Sequence, residues 1–208
     1  MNKLFFDIET LPAPEHQHKA LSELYQKKHG DLPEEEQDFE GYLDKTGLDG
    51  AYGRVLVIAY AINDNKVEYI CNENDEAKTL RQFWDIARDA DLFVGHNIMD
   101  FDLRFLYQRS VVQKVKPTKD LTYFFVRYRN TPVYDTLKEW AKWSMDRTPK
   151  NLEHVAVALG IPTPKEDIDG SQVAEFHKQG KLQEICDYCV RDVDTVREVY
   201  KRLTFDGQ

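Results

Sequence analysis

The sequence has few cysteines and no long hydrophobic run. Three cysteines stand among the 208 residues, Cys71, Cys186 and Cys189, which are too few for a disulfide framework and indicate a reducing compartment. No apolar run approaches the roughly 20 residues of a membrane-spanning helix. Asp7 ends the short N-terminal apolar run, which therefore lacks the form of a secretory signal. We expect a cytoplasmic protein with no membrane association.

The two cysteines near the C-terminus form a C-x-x-C pattern, but the surrounding residues do not support a redox or zinc site. Cys186 and Cys189 lie within a helical pattern, and neither a second C-x-x-C nor a histidine pair completes a zinc set. A thioredoxin-like motif would follow a strand and open a helix. We predict that both are thiols packed inside a helix.

Basic residues are outnumbered, and the net charge of −9 argues against broad phosphate binding. The charge is unevenly distributed, however. Residues 104–129 contain seven Lys or Arg and one acid, whereas residues 31–50 contain eight acids and one Lys. A protein that grips a few terminal nucleotides needs only a local basic surface, so the charge leaves nucleic-acid binding open.

Hydrophobic periodicity predicts an α/β protein with a mixed sheet, since hairpin strands come first and strands then alternate with helices. We expect residues 1–208 to form a single domain. The predicted strands are 3–8, 54–62, 66–71, 91–95 and about 132–134. The predicted helices are 76–88, 102–113, one from about 136, 151–159 and about 181–203. The acidic stretch 12–53, with helical patches at 18–28 and 34–43, is predicted to be an ordered insertion between the first two strands.

Acidic residues follow the first strand in the pattern F-F-D-I-E-T. Residues two apart in a strand project from one face, so the carboxylates of Asp7 and Glu9 should converge. Two like charges beside an apolar strand are costly unless a cation lies between them. Such a pair also ends strands in proteins without a metal site, so the pattern alone does not decide its role.

Two further segments carry candidate acids. Asp102 begins a predicted helix, where the helix dipole also favours an acid, and Asp100 competes with it for a role. Tyr188 and Asp192 are four residues apart on one helical face, although a packed tyrosine and a solvated acid would give the same pattern. Together, four carboxylates from three segments would make an oxygen-only site that suits Mg²⁺ or Mn²⁺ rather than zinc. Two such ions about 4 Å apart can promote phosphodiester hydrolysis.

The order and spacing of these motifs resemble the DEDD superfamily of exonucleases. D-I-E at 7–9, N-x-x-x-F-D at 97–102 and Y-x-x-x-D at 188–192 are similar to its three motifs, and Tyr188 resembles the DEDDy branch, which includes proofreading domains of family B DNA polymerases. The flanking segments Y-G-R-V-L-V-I-A, V-Y-D-T-L-K-E-W and N-L-E-H-V-A-V-A-L-G-I-P are similar to stand-alone predicted exonucleases related to those domains.

The resemblance implies a ribonuclease-H-like sheet of about five strands flanked by helices, and a 3′–5′ exonuclease that uses two Mg²⁺ or Mn²⁺ ions. Its substrate would be a single-stranded 3′ end, with DNA favoured over RNA, and any replication or repair partner is unknown. By this similarity the metal ligands are Asp7, Glu9, Asp102 and Asp192, with Tyr188 orienting the attacking water. Residues implied to contact the substrate are Thr10, Leu11, Asn97 and Phe101.

Alternatives remain open at this stage. A catalytically silent or regulatory nucleic-acid-binding module on the same fold would be favoured if one of the four acids were missing. His16, His18 and His29 lack ligand spacing and are expected on the surface, and His96 is expected to hold a strand end. Aromatic residues interleave with cations over residues 114–129. These could follow a single strand by charge and stacking, or they could be a solvated face over core aromatics.

Overall fold

A five-stranded mixed sheet forms the centre of the structure, a computed structural model that describes residues 1–31, 33–144, 151–163 and 168–206. Leu32, within the acidic stretch, lies outside the described residues. The strands are β1 (Lys3–Leu11), β2 (Arg54–Ile62), β3 (Glu68–Ile70), β4 (Leu92–Gly95) and β5 (Val133–Asp135). Their order is β3-β2-β1-β4-β5, with β1 antiparallel to β2 and parallel to β4. The predicted mixed sheet of about five strands is confirmed.

Eight α-helices occur in the described part of the chain. They are α1 (Glu15–His29), α2 (Phe39–Lys45), α3 (Glu76–Ala87), α4 (Asp102–Val112), α5 (Thr136–Ala141), α6 (Leu152–Ala158), α7 (Val173–Lys178) and α8 (Leu182–Leu203). The short α7 has no counterpart among the predicted helices, because six residues are too few to establish a 3.6-residue periodicity. None of the described helices is long and apolar enough to cross a membrane.

Alternation along β1 divides the core between the two faces of the sheet. Leu4, Phe6 and Ile8 pack with residues of α3 and α4 on one face, whereas Phe5 packs with residues of α8 on the other. Asp7 shares the parity of Phe5, so its side chain projects toward α8. The middle strand of the sheet thus presents its acids to the longest helix.

A bulge in β2 lies opposite the end of the acidic pattern. Glu9 pairs with Val57 and Thr10 with Val55, so Leu56 is an extra residue in the ladder. Both Leu56 and Val57 belong to the cluster on the α8 face. The bulge locally increases strand twist beside Glu9 and separates the acidic part of β1 from its final residues.

The segment between β1 and β2 is helical and packs on the end of β1. The Thr10 hydroxyl donates a 2.6 Å hydrogen bond to the Gly47 carbonyl, and the Ala13 amide donates to the Thr46 hydroxyl. Tyr25 of α1 holds the two helices of the segment together, because its ring packs on Phe39 and its hydroxyl accepts from the Asp38 amide. The assignment of residues 12–53 as an insertion in a single domain stays a prediction.

Candidate active site

The end of β4 leaves part of β1 without a strand partner. β4 pairs with β1 only as far as Phe5 and Val94, so on this side the backbone from Phe6 onward needs other hydrogen-bond partners. Asp102, the first residue of α4, supplies one: its Oδ1 accepts from the Ile8 amide at 3.2 Å. This bond brings a third carboxylate to the strand that carries Asp7 and Glu9.

Gly95 and Asp135 set the path of the loop that leads to Asp102. A Cβ on Gly95 would overlap Cγ2 of Ile98 and lie 3.0 Å from the Phe6 carbonyl, so only glycine fits this close approach. Asp135 is 2% exposed and accepts hydrogen bonds from the amides of Asn97 and Met99 at 3.0 and 3.1 Å. The same carboxylate caps α5. The loop is therefore fixed to β5 rather than free.

One face of α8 completes the acidic cluster. The Tyr188 hydroxyl hydrogen-bonds the carboxylate of Asp192, which is one turn along the helix. Cys189, three residues before Asp192, places its Sγ 3.5 Å from both the backbone oxygen and Oδ2 of Asp7. The i, i+3 and i, i+4 spacings direct these side chains toward β1 together.

Mutual repulsion and burial dominate the electrostatics of this cluster. Burial, followed by the charges of Asp102, Asp192 and Glu9, raises the pKa of Asp7 well above its ordinary value. Burial also raises the pKa of Asp102 from 3.8 to about 7, against the opposing effect of backbone hydrogen bonds that include the one from Ile8. Burial and the neighbouring acids raise the pKa of Tyr188, so its phenol remains a proton donor.

The donor atoms of this site fit a divalent cation. One carboxylate oxygen each from Asp7 and Glu9 and the sulfur of Cys189 lie within 4.8 Å of one another. Carboxylate oxygens are ligands that Mg²⁺ and Mn²⁺ prefer, and a cation would remove the repulsion that raises the pKa of Asp7. The thiol of Cys189 is a poorer ligand, because burial and the carboxylate of Asp7 raise its pKa and keep it protonated. A neutral thiol serves as a donor to Asp7 rather than as a charged ligand.

The four residues expected to contact substrate differ in their contacts and burial. Thr10 uses its hydroxyl on Gly47, and Leu11 is 4% exposed within the core on the α8 face. Asn97 adopts a left-handed backbone conformation with φ of 62°, which asparagine tolerates better than most residues. Phe101 is half-buried and packs on the Phe105 ring. Their contact with a nucleotide stays a prediction.

Sequence reasoning missed the positions of Cys189 and Asp135. Cys189 is packed inside a helix as predicted, but it also lies against Asp7. Cys189 is three residues before Asp192, and this spacing could have indicated that both face the acidic cluster. Asp135 follows an apolar strand and caps a helix, a pattern that predicts a cap but not a second role in fixing the loop before Asp102. His96, expected to hold a strand end, contacts the Thr136 hydroxyl at 2.9 Å, and that hydroxyl bonds the Gly95 carbonyl.

The remaining candidates are the aromatic residues of the segment 114–129 and the histidines. Phe124 is buried and packs on Phe93, whereas Tyr123 and Tyr128 are 61% and 75% exposed. Neither of the two earlier interpretations of residues 114–129 therefore holds for all of its aromatic side chains. Among the histidines, His18 bonds the Ala13 carbonyl and His29 stacks on Tyr25.

Comparison with known proteins gives a family match and solved structures with a similar fold. A family model described as "Predicted 3'-5' exonuclease related to the exonuclease domain of PolB" matches residues 48–206. No curated protein matches the chain. The family B DNA polymerase from the hyperthermophilic archaeon Pyrobaculum calidifontis superposes with a TM-score of 0.66 at 19% identity. The match covers 98% of this chain and 24% of the polymerase chain, so the chain spans about a quarter of that protein. This likeness confirms the ribonuclease-H-like fold.

Proposed function

The chain belongs to the family of predicted 3′–5′ exonucleases related to the exonuclease domain of PolB, and we propose that it hydrolyses phosphodiester bonds at the 3′ end of single-stranded nucleic acid with two divalent cations. Its family implies a nucleic-acid substrate. The relation to a DNA polymerase family supports DNA over RNA. We place this activity in the cytoplasm.

The convergence of carboxylates on Asp7 carries this proposal. Asp7 lies close enough to Asp102, Asp192 and Glu9 for all three charges to raise its pKa. Such a cluster does not stabilise the folded protein by itself, because burying like charges without a counter-ion is costly. The arrangement becomes favourable when cations occupy it.

The four acids Asp7, Glu9, Asp102 and Asp192 would together hold the two ions. Bound there, the ions supply activation of a water and charge stabilisation at the leaving oxygen. Tyr188, with its phenol protonated, orients the attacking water. The hydrogen bond from Ile8 fixes the rotamer of Asp102.

Degradation of end-labelled oligonucleotides tests this function. Single-stranded DNA and RNA, labelled at either the 3′ or the 5′ end, are incubated with Mg²⁺, Mn²⁺ or EDTA. We expect 5′-labelled DNA to give a ladder of progressively shorter products and 3′-labelled DNA to release a mononucleotide at once, with no reaction in EDTA. Asp7→Asn is the matched control and should be inactive. Metal-independent cleavage would overturn the two-ion proposal, and binding without cleavage would favour a silent nucleic-acid-binding module.

A further inference from the structure

A second pocket, separate from the acidic cluster, lies beside the loop that leads to Asp102 and is lined by aromatic rings and cations. Its volume is about 240 Å³. The rings are those of Phe125, Tyr128 and Trp143, and the cations are Arg104, Arg127 and Lys138. The combination of flat apolar faces with positive charge is that of a site for a nucleotide base and its phosphate.

Phe125 and Trp143 are half-buried and pack against the core, whereas the third ring, Tyr128, is outside it. Tyr128 is 75% exposed, yet its ring lies 4.9 Å from the ring of Trp143. The guanidinium of Arg104 lies 5.9 Å from the centre of the Phe125 ring. An exposed ring held against a half-buried one leaves an aromatic face on which a base can stack.

The pocket is positively charged after its internal pairs are counted. Asp100 contacts Lys138 at 2.5 Å and Arg104 at 4.0 Å, so one acid faces two cations. Arg127 is exposed and has no ion-pair partner among the residues that the structure describes. The excess of cations suits a phosphate.

Tyr128 and Trp143, whose rings contact each other, both have an uncommon backbone conformation. Tyr128 has a φ of 63° and Trp143 a φ of 65°, and Lys142, which precedes Trp143, has a φ of 46°. Bulky residues rarely adopt this left-handed conformation, which is unfavourable for them. Trp143 is kept there by its amide, which donates to the Lys138 carbonyl at the end of α5. Such conformations cluster at binding sites.

The pocket lies on the far side of the loop from the acidic cluster. Successive residues of a helix are rotated by about 100°, so Asp102 and Arg104 project in nearly opposite directions from α4. Asp102 projects toward β1, whereas Arg104 lines the pocket. The pocket thus shares no residue with the four carboxylates, although Asp100, two residues before Asp102, lines it.

We propose that this pocket binds a nucleotide of the single strand outside the scissile end, with its base stacked on Tyr128 and Trp143 and its phosphate beside Arg127. This inference rests on the proposed function, because it assigns a second contact to the same substrate. Stacking on an aromatic face does not distinguish the bases, so the pocket should contribute affinity without sequence preference.

Binding of a 5′-fluorescein-labelled oligothymidylate, measured by fluorescence anisotropy in EDTA, tests the pocket without cleavage. We expect Tyr128→Ala and Trp143→Ala each to weaken binding by about tenfold. Tyr123→Ala removes an exposed ring that does not line the pocket and should bind within about twofold of wild type. Arg127→Gln should weaken binding more than Arg129→Gln, which makes the same change in charge elsewhere. A matching oligouridylate shows whether the pocket accepts RNA.

Two outcomes separate this inference from the proposed function. If wild-type protein degrades the strand while both pocket variants bind like wild type, or if Tyr123→Ala binds as weakly as they do, the pocket inference is overturned and the exonuclease stands. If the pocket variants lose binding but wild type cleaves nothing in Mg²⁺ or Mn²⁺, the pocket stands and the exonuclease fails. Tyr128 is exposed, so its variant still tests the pocket should Trp143→Ala fail to fold.

Discussion

The thiol of Cys189 donates a hydrogen bond to the carboxylate of Asp7, with 3.5 Å between Sγ and Oδ2. This contact joins the middle of α8 to Asp7, whose pKa is raised by burial and by its three acidic neighbours. It lowers the pKa of Asp7 and opposes the effect of the neighbouring acids. Because the thiol must keep its proton to act as a donor, its chemical reactivity reports on the arrangement.

We predict that the three cysteines differ in alkylation rate. A hydrogen bond from Cys186 lowers the pKa of the half-buried Cys71, whereas burial and the charge of Asp7 raise the pKa of Cys189. Since the thiolate is the reactive form, Cys71 should react with iodoacetamide at least about tenfold faster than Cys189 in the native protein. Mass spectrometry of labelled peptides measures this. Urea-unfolded protein, in which all three should react alike, is the control, and rapid native labelling of Cys189 would contradict the placement.

A second prediction concerns pH and metal ions. The pKa of Asp102 is raised to about 7, so the folded protein holds this proton more tightly than the unfolded chain. The resulting stabilisation is complete below about pH 4, the unfolded pKa, and is lost as the pH rises through the folded value. Without metal, the melting temperature should therefore fall between pH 5 and pH 8 by several degrees, since about 1 kcal/mol corresponds to roughly 2–4 °C at this size.

Thermal melts in EDTA, Mg²⁺ and Mn²⁺ at both pH values measure this effect. Cations that bind the folded state should raise the melting temperature by mass action, and more at pH 8, where they need not displace a proton. Asp102→Asn should flatten the metal-free pH dependence, and Asp7→Asn should remove most of the metal-induced shift together with the activity. An unchanged melting temperature in millimolar Mn²⁺ argues against the cation site.

A third prediction concerns Asp135, which fixes the loop before Asp102. Asp135→Asn replaces one acceptor oxygen with a donor, so the Asn97 or Met99 amide loses its buried partner. The cost should be about 2–4 kcal/mol, read from urea unfolding. Activity should fall as well because Asp102 moves. Asp75→Asn changes an exposed helix cap in the same way and should cost less than about 1 kcal/mol. Equal losses of stability in the two variants would show that Asp135 acts only as a helix cap and does not fix the loop.

Local spacing was enough to predict which side chains share a face. The strand period puts Asp7 beside Glu9, and the helix period puts Tyr188 beside Asp192. Spacing does not decide which segments meet, because that depends on strand order and on where β4 ends. The choice between Asp100 and Asp102 shows this: the pattern left it open and the family resemblance indicated Asp102. In the structure Asp102 accepts a hydrogen bond from the Ile8 amide of β1, whereas Asp100 forms an ion pair with Lys138 in the second pocket.

Contacts between distant segments account for what the pattern could not predict. The thiol of Cys189 and the oxygens of Asp7 are 182 positions apart in sequence, and no periodicity links them. The same holds for Asp135 and the Asn97 amide, which belong to adjacent parallel strands and their loops. The second pocket joins α4 to residues 125–128 and to the end of α5, so sequence alone showed only an ambiguous mixture of cations and rings.

A fourth prediction concerns the helical segment between β1 and β2. The Gly47 carbonyl accepts a hydrogen bond from Thr10 in β1, and the Thr46 hydroxyl accepts one from Ala13 just beyond β1. The segment should therefore restrict access to the acids. Blunt duplex ends should be cut more slowly than single strands or 3′ overhangs. Replacing residues 34–44 with a short linker should reduce this difference while the metal-induced melting shift stays intact. If this replacement leaves the cleavage of every substrate unchanged, the segment does not restrict access to the acids.

The last prediction concerns Tyr188, whose hydroxyl bonds Asp192 and whose raised pKa keeps the phenol protonated. Tyr188→Phe retains the ring and the metal ligands but removes one hydrogen bond at the attacking water. Positioning and proton-transfer contacts are worth about 10²–10⁴ in rate, and orientation without proton transfer belongs at the lower end. We therefore expect kcat to fall by roughly tenfold to a few hundredfold, while stability and the metal-induced melting shift remain close to wild type.

Asp192→Asn is the variant with which Tyr188→Phe is compared. It removes a proposed ligand as well as the acceptor of the Tyr188 hydroxyl, so it should reduce kcat further and also diminish the metal-induced melting shift. A tyrosine that only packs would leave Tyr188→Phe with nearly normal turnover while Asp192→Asn is inactive. That pair of results would preserve the metal site and remove the tyrosine from the chemistry. Loss of the melting shift in Tyr188→Phe would instead mean that the hydroxyl positions Asp192 as a ligand.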